Sequence, residues 1–354
     1  MMNLSEYHAM RSGGLIAKVK LRILTYLIFP LKVVATLLTC RKTDTVVTTT
    51  NPFYLPLIAI TLSRIFRYKT ISVIYDLYPD ALEQFEVIAK NGIISKLLGI
   101  STKGAFKGAD ATVFLGERIR IHAEERWGNC RRSEVIELGA NTDMYSPELN
   151  IRHPLNIHYG GLAGVVHDIE NLALCFTHAR EKLGDTVFIS CSTSGPKSGL
   201  LRELAAKKVL EFHTPLSSQA WSSKIAQIGI GVVCLLPEAS TISLPSKTYS
   251  LLAAGVPVLG ICPSDSDLGQ LILKSGAGWV IENQLLSAAE IAEQFSATIH
   301  HLLTYPEELI TARVNARKTA ENQFSIEHLA ARWHPLIQGS DFRTPDLEKI
   351  NIRQ

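Results

Sequence analysis

Two short stretches of this 354-residue chain carry residue types suited to holding an anion. The first is Tyr159-Gly160-Gly161-Leu162-Ala163-Gly164-Val165-Val166-His167-Asp168. Glycines between a strand and a helix let backbone N–H groups approach a phosphate, and the start of the helix adds partial positive charge. The spacing departs from G-x-G-x-x-G, so a dinucleotide cofactor is not indicated. A plain strand-to-helix turn would look the same, and the stretch alone does not decide. The second runs Leu244-Pro245-Ser246-Lys247-Thr248-Tyr249-Ser250, then Leu251-Leu252-Ala253-Ala254-Gly255-Val256-Pro257-Val258. Pro245 and Ser246 suit a helix start, and Gly255 suits its end. Lys247 then falls in the first turn, where its charge opposes the helix dipole. That placement makes sense when an anion such as a diphosphate occupies the site. The alternative is an exposed lysine with no ligand.

Other polar residues stand at predicted element ends. Asp76-Leu77-Tyr78-Pro79-Asp80 closes a strand. Asp76 and Asp80 could orient an incoming hydroxyl, could be a glycosidase pair, or could be a helix cap and a solvated charge. His167 either touches phosphate or caps its loop. Lys197 follows the Gly195-Pro196 turn, and Arg118 follows Gly116 on a helix; each is a ligand contact or a surface charge. His158 reads as a strand residue, and the other histidines lack metal-ligand spacing. The six cysteines are scattered without a C-x-x-C pair, as expected of core residues in a reducing compartment.

The elements that must position these residues alternate. Strands are predicted at 45–50, 70–75, 111–115 and 134–138, with helices between them. Pro147 and Pro154 break the rhythm, which places a boundary near residue 148. Strands resume at 155–159, 186–191, 209–212, 230–235, 257–261 and 278–281. Helices are predicted at 169–183, 218–227, 246–254, 268–274, 288–303 and 306–322, and a last one at 326–336. Strand–helix alternation implies parallel sheets with ligands at the strands' carboxyl ends. The expected organisation is residues 1–148, residues 149–338 and a polar tail at 339–354.

Composition agrees with two buried cores. Hydrophobic residues make up 46% and charged residues 19%, and a net charge of +3 is too small to imply nucleic acid. The start is different in character. From Tyr7 to Thr43 there is no acidic residue, while Arg11, Lys18, Lys20, Arg22, Lys32, Arg41 and Lys42 all occur. Pro30 and Lys32 interrupt its apolar run at 23–38, which is therefore a poor spanning helix, and no cleavage site marks a signal peptide. One or two amphipathic helices touching anionic lipid, or core-packed helices with solvated lysines, both fit.

The sequence resembles the retaining nucleotide-sugar glycosyltransferases of family 4 with the GT-B fold, in the bacterial surface-polysaccharide branch (colanic-acid and O-antigen type). Pro245-Ser246-Lys247-Thr248-Tyr249 with Leu252-Ala253-Ala254-Gly255-Val256-Pro257-Val258 is similar to that branch's P-S-K-x-Y-x-x-L-A-A-G-x-P-V segment. Gly161, Gly164, His167 and Asp168 are similar to its G-N-x-G-x-x-H-D loop, Gly195-Pro196-Lys197 to part of its G-x-G-P-K turn, and Asp76 to Asp80 to its D-L-Y-P-[DE] segment. The resemblance runs from about residue 44 to 336. It implies an α/β fold of two Rossmann-like domains, the first lacking its usual opening strand and glycine loop. Two further departures stand out. Ile242 and Ser250 occupy the places of two family glutamates, and Ser192-Thr193-Ser194-Gly195 has fewer glycines than the family turn.

What the resemblance implies is transfer of a sugar from a UDP- or GDP-sugar to a hydroxyl of a glycan or lipid-linked glycan. The donor set would be Gly161, Gly164, Lys197, Pro245, Ser246, Lys247, Tyr249 and Ser250. Asp76, His167 and Lys247 would serve the reaction, and Asp76, Asp80 and Arg118 the acceptor. Neither cofactor nor metal would be required. The expected location is cytoplasmic, peripheral on the inner face of the membrane, with a partner protein allowed. The rival expectation is a non-catalytic partner subunit of the same fold.

Overall fold

The computed structural model describes residues 19–20 and 23–338, except 149 and 226. Arg11, Lys18, Arg22 and the tail after Gln338 lie outside the described residues.

The first half carries α1 (Phe29–Leu37), β1 (Thr45–Thr49), α2 (Leu55–Phe66), β2 (Lys69–Ile74), α3 (Asp80–Gln84), α4 (Ile93–Gly108), β3 (Ala111–Phe114), α5 (Glu117–Trp127) and β4 (Ser133–Val135). Its four strands lie side by side, in chain order and parallel. The β-branched run Thr45–Thr49 forms β1 at one edge, and among the described residues no strand precedes it. β2 and β3 are central and buried on both faces, Thr70 and Ser72 of β2 and Thr112 of β3 included.

The second half carries β5 (Leu155–Leu162), α6 (Ile169–Leu183), β6 (Val187–Ser194), α7 (Ser198–Ala206), β7 (Glu211–His213), α8 (Ser218–Ile225), β8 (Ile230–Cys234), α9 (Lys247–Ala253), β9 (Val258–Ile261), α10 (Asp267–Ser275), β10 (Gly278–Ile281), α11 (Ala288–Thr304), α12 (Pro306–Thr319) and α13 (Ile326–Gln338). The sheet order is β10-β9-β8-β5-β6-β7, all parallel. Counted within this half, that is 6-5-4-1-2-3, the doubly wound order whose direction reverses between its first and fourth strands. The reversal places a crevice at the carboxyl ends of β5 and β8. This is where Gly160–Gly161 comes.

Three features differ from the sequence reading. β5 does not stop at Tyr159: it continues through Gly160, Gly161 and Leu162, paired with Ser192, Thr193 and Ser194. Its pairing with β8 ends at Tyr159↔Val232, so these last three residues have no strand on that side. α7 carries no clear sequence signal, because its apolar residues follow a Gly-Pro turn with little room to show a period. Finally, α13 belongs by packing to the first half: Leu329, Trp333 and Leu336 lie against Ile71, Val73, Val113 and Ile136. Lys69 Nζ donates to the Leu336 carbonyl at 2.6 Å, and Thr45 Oγ1 to that of Ile337 at 3.0 Å.

The connection between the halves is pinned rather than loose. Arg313 of α12 is 2% exposed, and its guanidinium donates to the carbonyls of Glu148 (2.7 Å), Ile228 and Gly229. Arg317 donates to those of Thr142, Tyr145 and Ala253. Buried carbonyls in an irregular segment need donors, and two arginines of one helix supply them.

Candidate functional site

Three adjoining cavities form a trench from the second half into the space between the halves. The middle one, about 320 Å³, lies at the crevice and is lined by Gly160, Gly161, His167, Pro245, Ser246 and Lys247. It shares Gly161, Leu162 and Lys247 with a cavity of about 400 Å³ bounded by Tyr145, Ser192, Pro215, Trp221 and Ser250. On its other side it shares Ser243, Leu244 and Ser246 with a cavity of about 420 Å³ that reaches Asn51 and Asp76 of the first half.

The middle cavity is built from strand backbone on one wall and a lysine on the other. Gly161 has φ +130°, a backbone state that L side chains rarely adopt, and a Cβ there would come within 3.3 Å of Lys247 Cγ. Glycine therefore lets the lysine stem lie on the strand. Lys247 Nζ stands 5.2 Å from the centroid of the Trp221 ring, a cation–π contact that holds the ammonium at the junction of two cavities. His167 closes the far wall. Its Nδ1 accepts from the Gly164 N–H at 3.2 Å, and burial pushes its pKa down. The neutral ring then carries its proton on Nε2, a donor.

The Trp221 end holds buried polar atoms with no partner among the described residues. His158 Nε2, Ser192 Oγ and Trp221 Nε1 are all of this kind. His158 Nδ1 is used by Ser190 Oγ at 2.8 Å, and burial drives the imidazole down to about 3. Ser192 and Trp221 line the cavity directly. Unmet buried donors and acceptors beside a cavity are costly unless a ligand or water meets them.

Asp76 stands at the carboxyl end of β2 in the third cavity. Thr50 Oγ1 accepts from the N–H groups of Tyr75 (3.1 Å) and Asp76 (3.2 Å), which fixes the backbone there. Burial raises the carboxyl pKa of Asp76.

The structure brings Gly161, His167, Pro245, Ser246, Lys247 and Ser250 to the trench, and Asp76 to its end. Five other residues are engaged elsewhere in the structure. Tyr249 is 1% exposed and stacks edge-on with Phe324, 5.0 Å between centroids. Successive helix residues turn by about 100°, so Lys247 and Ser250 share a face that Tyr249 does not. Gly164 has spent its N–H on His167. Lys197 Nζ is paired with Glu170 at 2.9 Å and donates to the His167 carbonyl. Asp80 lines a separate cavity between the halves, where it is 4% exposed and accepts from His122, Arg126 and Trp127, each at 2.7 Å. Those bonds outweigh its burial and lower its pKa. Arg118 is ion-paired with Asp265 of the second half. In addition, α9 has only seven residues, and the N–H groups of Thr248 and Tyr249 turn back to Pro245 and Ser246. An anion would therefore rest on the Lys247 side chain and the β5 backbone more than on a helix dipole.

Sequence reasoning missed Trp221, Ser192 and His158 as site residues. A tryptophan on a short helix and two polar strand residues have no diagnostic spacing. Among the described residues no group of three or more His, Cys, Asp or Glu side chains is arranged to hold a metal ion, and no helix is long and apolar enough to cross a membrane.

Solved structures resemble this fold over most of the chain. Anabaena HepE in complex with UDP-glucose superposes with a TM-score of 0.66 at 11% identity, covering 88% of this chain and 82% of that one. The chain has the GT-B fold. The GT-B structure of WaaG, a glycosyltransferase involved in lipopolysaccharide biosynthesis, matches with a TM-score of 0.60 at 14% identity, covering 82% of this chain and 83% of that one. In sequence, the chain is 22% identical over 251 residues to a Pseudomonas aeruginosa protein named probable glycosyltransferase WbjE, covering 68% of this chain. The match spans 62% of the length of that relative. No family model matches the chain.

Proposed function

We propose that this GT-B chain is a retaining glycosyltransferase that takes a UDP- or GDP-sugar and delivers the sugar to a hydroxyl of a glycan or lipid-linked glycan in surface-polysaccharide synthesis. The carrying observation is the continuous trench, with Lys247 at the junction of its inner cavities and Asp76 at its outer end. A nucleoside diphosphate sugar has three parts in line. The nucleoside fits beside Trp221 and Ser192, where unmet polar atoms await partners. The diphosphate fits between Gly161 and Lys247. The sugar then points past Ser246 toward Asp76 and the first half. The likeness to the probable glycosyltransferase WbjE, to HepE in complex with UDP-glucose and to pneumococcal O-GlcNAc transferase GtfA in complex with UDP and GlcNAc supports this reading.

In such a transfer the bond from the sugar's anomeric carbon to the diphosphate oxygen breaks, the electron pair leaves with the diphosphate, and the acceptor oxygen bonds to the sugar as its hydroxyl proton passes to the departing diphosphate. Fixed donors must meet the charge growing on the leaving group. Lys247 Nζ and His167 Nε2–H are the side-chain candidates, and no metal ion is invoked. Asp76 is placed to orient the acceptor hydroxyl.

One observation favours a second reading, a non-catalytic partner subunit. Ile242, at the place of a family glutamate, is 3% exposed, and its aliphatic side chain offers a donor no hydrogen bond or charge. Calorimetry with UDP, GDP and their sugars, followed by a transfer assay on lipid-linked acceptors, separates the two. Nucleotide binding with transfer supports the enzyme, binding without transfer supports the partner subunit, and absence of nucleotide binding rejects both uses of the trench.

A further inference from the structure

Helix α4 shows solvent a stripe that the donor trench does not use. Ile93, Ile94, Leu97 and Ile100 are 80%, 60%, 62% and 67% exposed. Loose packing does not account for this, because the opposite side of the helix is tightly fixed. Gly99 lies under the Trp127 ring, where a Cβ would come within 2.2 Å, and Gly108 lies against Ile60 of α2. Ser95 is buried and bonded to Glu83, and Thr102 Oγ1 donates to the Tyr78 carbonyl. The helix can therefore turn no other face outward.

On α4 itself the charge has one sign. Lys96, Lys103 and Lys107 are exposed on the same helix, and residues 87–109 contain no Asp or Glu. α2, which packs on α4, adds exposed Ile65 with Arg64 and Arg67, and α1, which packs on α2, adds exposed Leu31 and Lys32. Exposed aliphatic side chains beside lysines and arginines on three packed helices suit the boundary between anionic headgroups and acyl chains, with the exposed carboxylates of Glu86 and of Glu125 on α5 outside those three helices. A folded protein partner would leave these cations in need of facing carboxylates.

The stripe also begins at a telling place. Lys90 and Asn91, just before Ile93, line a cavity of about 590 Å³ between the halves, together with His122, Arg126 and Val166. We infer that α4 is the face by which the chain rests on an anionic bilayer, with the mouth of the inter-half cleft at the lipid surface. An acceptor hydroxyl carried on a lipid headgroup then enters the cleft without leaving the membrane. The choice of a lipid-linked acceptor rests on the proposed transferase reading; the lipid surface itself does not.

The test is sedimentation of the full chain with vesicles of phosphatidylcholine alone, or with a third phosphatidylglycerol, at low and high salt. The expected result is binding to the anionic vesicles only, weakened at high salt. Leu97→Glu with Ile100→Glu should reduce binding at least tenfold, and Lys96→Glu with Lys103→Glu should do the same. All four positions are exposed, so melting midpoints should match the wild type. UDP affinity of the same preparations reports on the donor trench separately, so vesicle binding without UDP binding sinks only the donor reading. Undiminished vesicle binding in both variants assigns attachment to the segment before residue 43 and overturns the inference. So does a self-associated chain that Leu97→Glu with Ile100→Glu makes monomeric without any vesicle binding.

Discussion

Lys247 sits where strand backbone, an indole face and an opening toward the other half meet. A charge-assisted contact to a phosphate oxygen is worth about 1.5–3 kcal/mol. Lys247→Ala should therefore weaken UDP or GDP binding by tens-fold, measured by calorimetry, with little change in melting midpoint because the side chain is exposed. Gly161→Ala should weaken it as well, through the strained φ and the crowding of the lysine stem. His158 predicts a pH effect. Its folded pKa lies near 3, below the ordinary histidine value, so the unfolded chain takes up the proton first as pH falls. Its contribution to stability is complete above about pH 6.5 and is lost at about 1.4 kcal/mol per unit as pH drops toward the folded value. His158→Gln should flatten the fall in melting midpoint between pH 6 and 4; an unchanged slope would place the acid sensitivity elsewhere. Lys247, Gly161 and His167 were legible in the sequence because their spacing around a strand and a turn is distinctive. Tyr249 was misplaced because membership in a motif says nothing about which side of a helix a residue occupies.

Among the elements, alternation of buried strands with amphipathic helices made both sheets legible, and their parallel direction followed. Two element-level facts were not. A run of Tyr-Gly-Gly-Leu gives the same local signal for a turn and for a strand's last residues. Only pairing with Ser192–Ser194 makes it a strand. α13 reads as the end of the second half because sequence order is silent about which sheet a helix covers. Its role predicts a local effect. Leu336 is 2% exposed against Ile71 and Val113, so Leu336→Ala should cost about 2–5 kcal/mol. Hydrogen exchange should speed up in β1, β2 and β3 while β5, β6 and β8 stay protected. Equal loss in both sheets would mean that the halves unfold as one unit.

At the scale of the molecule, the trench proposed for the donor belongs mostly to the second half, while Asp76 and the large cleft cavity belong to the interface. Binding and transfer should therefore separate. Asp76→Asn should leave UDP affinity within about twofold while lowering transfer at least tenfold, because Asp76 lines the outer cavity of the trench, which the proposed reading gives to the acceptor. If the variant loses UDP affinity and keeps turnover per bound donor, the trench runs in the opposite sense. A purified chain without membranes should bind nucleotide yet transfer poorly to soluble acceptors, since an acceptor on a lipid surface gains effective concentration that a dissolved one lacks.

Asp267 gives the gap between the halves a reporter. It opens α10 in the second half, yet its carboxylate accepts from the N–H groups of Arg118 (3.1 Å) and Ile119 (3.4 Å), the first turn of α5 in the first half. α5 has no side-chain cap of its own, since Gly116 stands at that position, and a Cβ there would strike the Asp267 carboxylate. One helix thus borrows its cap from across the cleft. Whenever the halves part, α5 loses that cap and its first turn should fray; whenever they close, it should firm up. The fraying of a single turn becomes a gauge of how far the jaws stand open. Amide exchange at Arg118 and Ile119 should slow when donor and acceptor are both bound, and Asp267→Ala should leave that exchange fast with or without them.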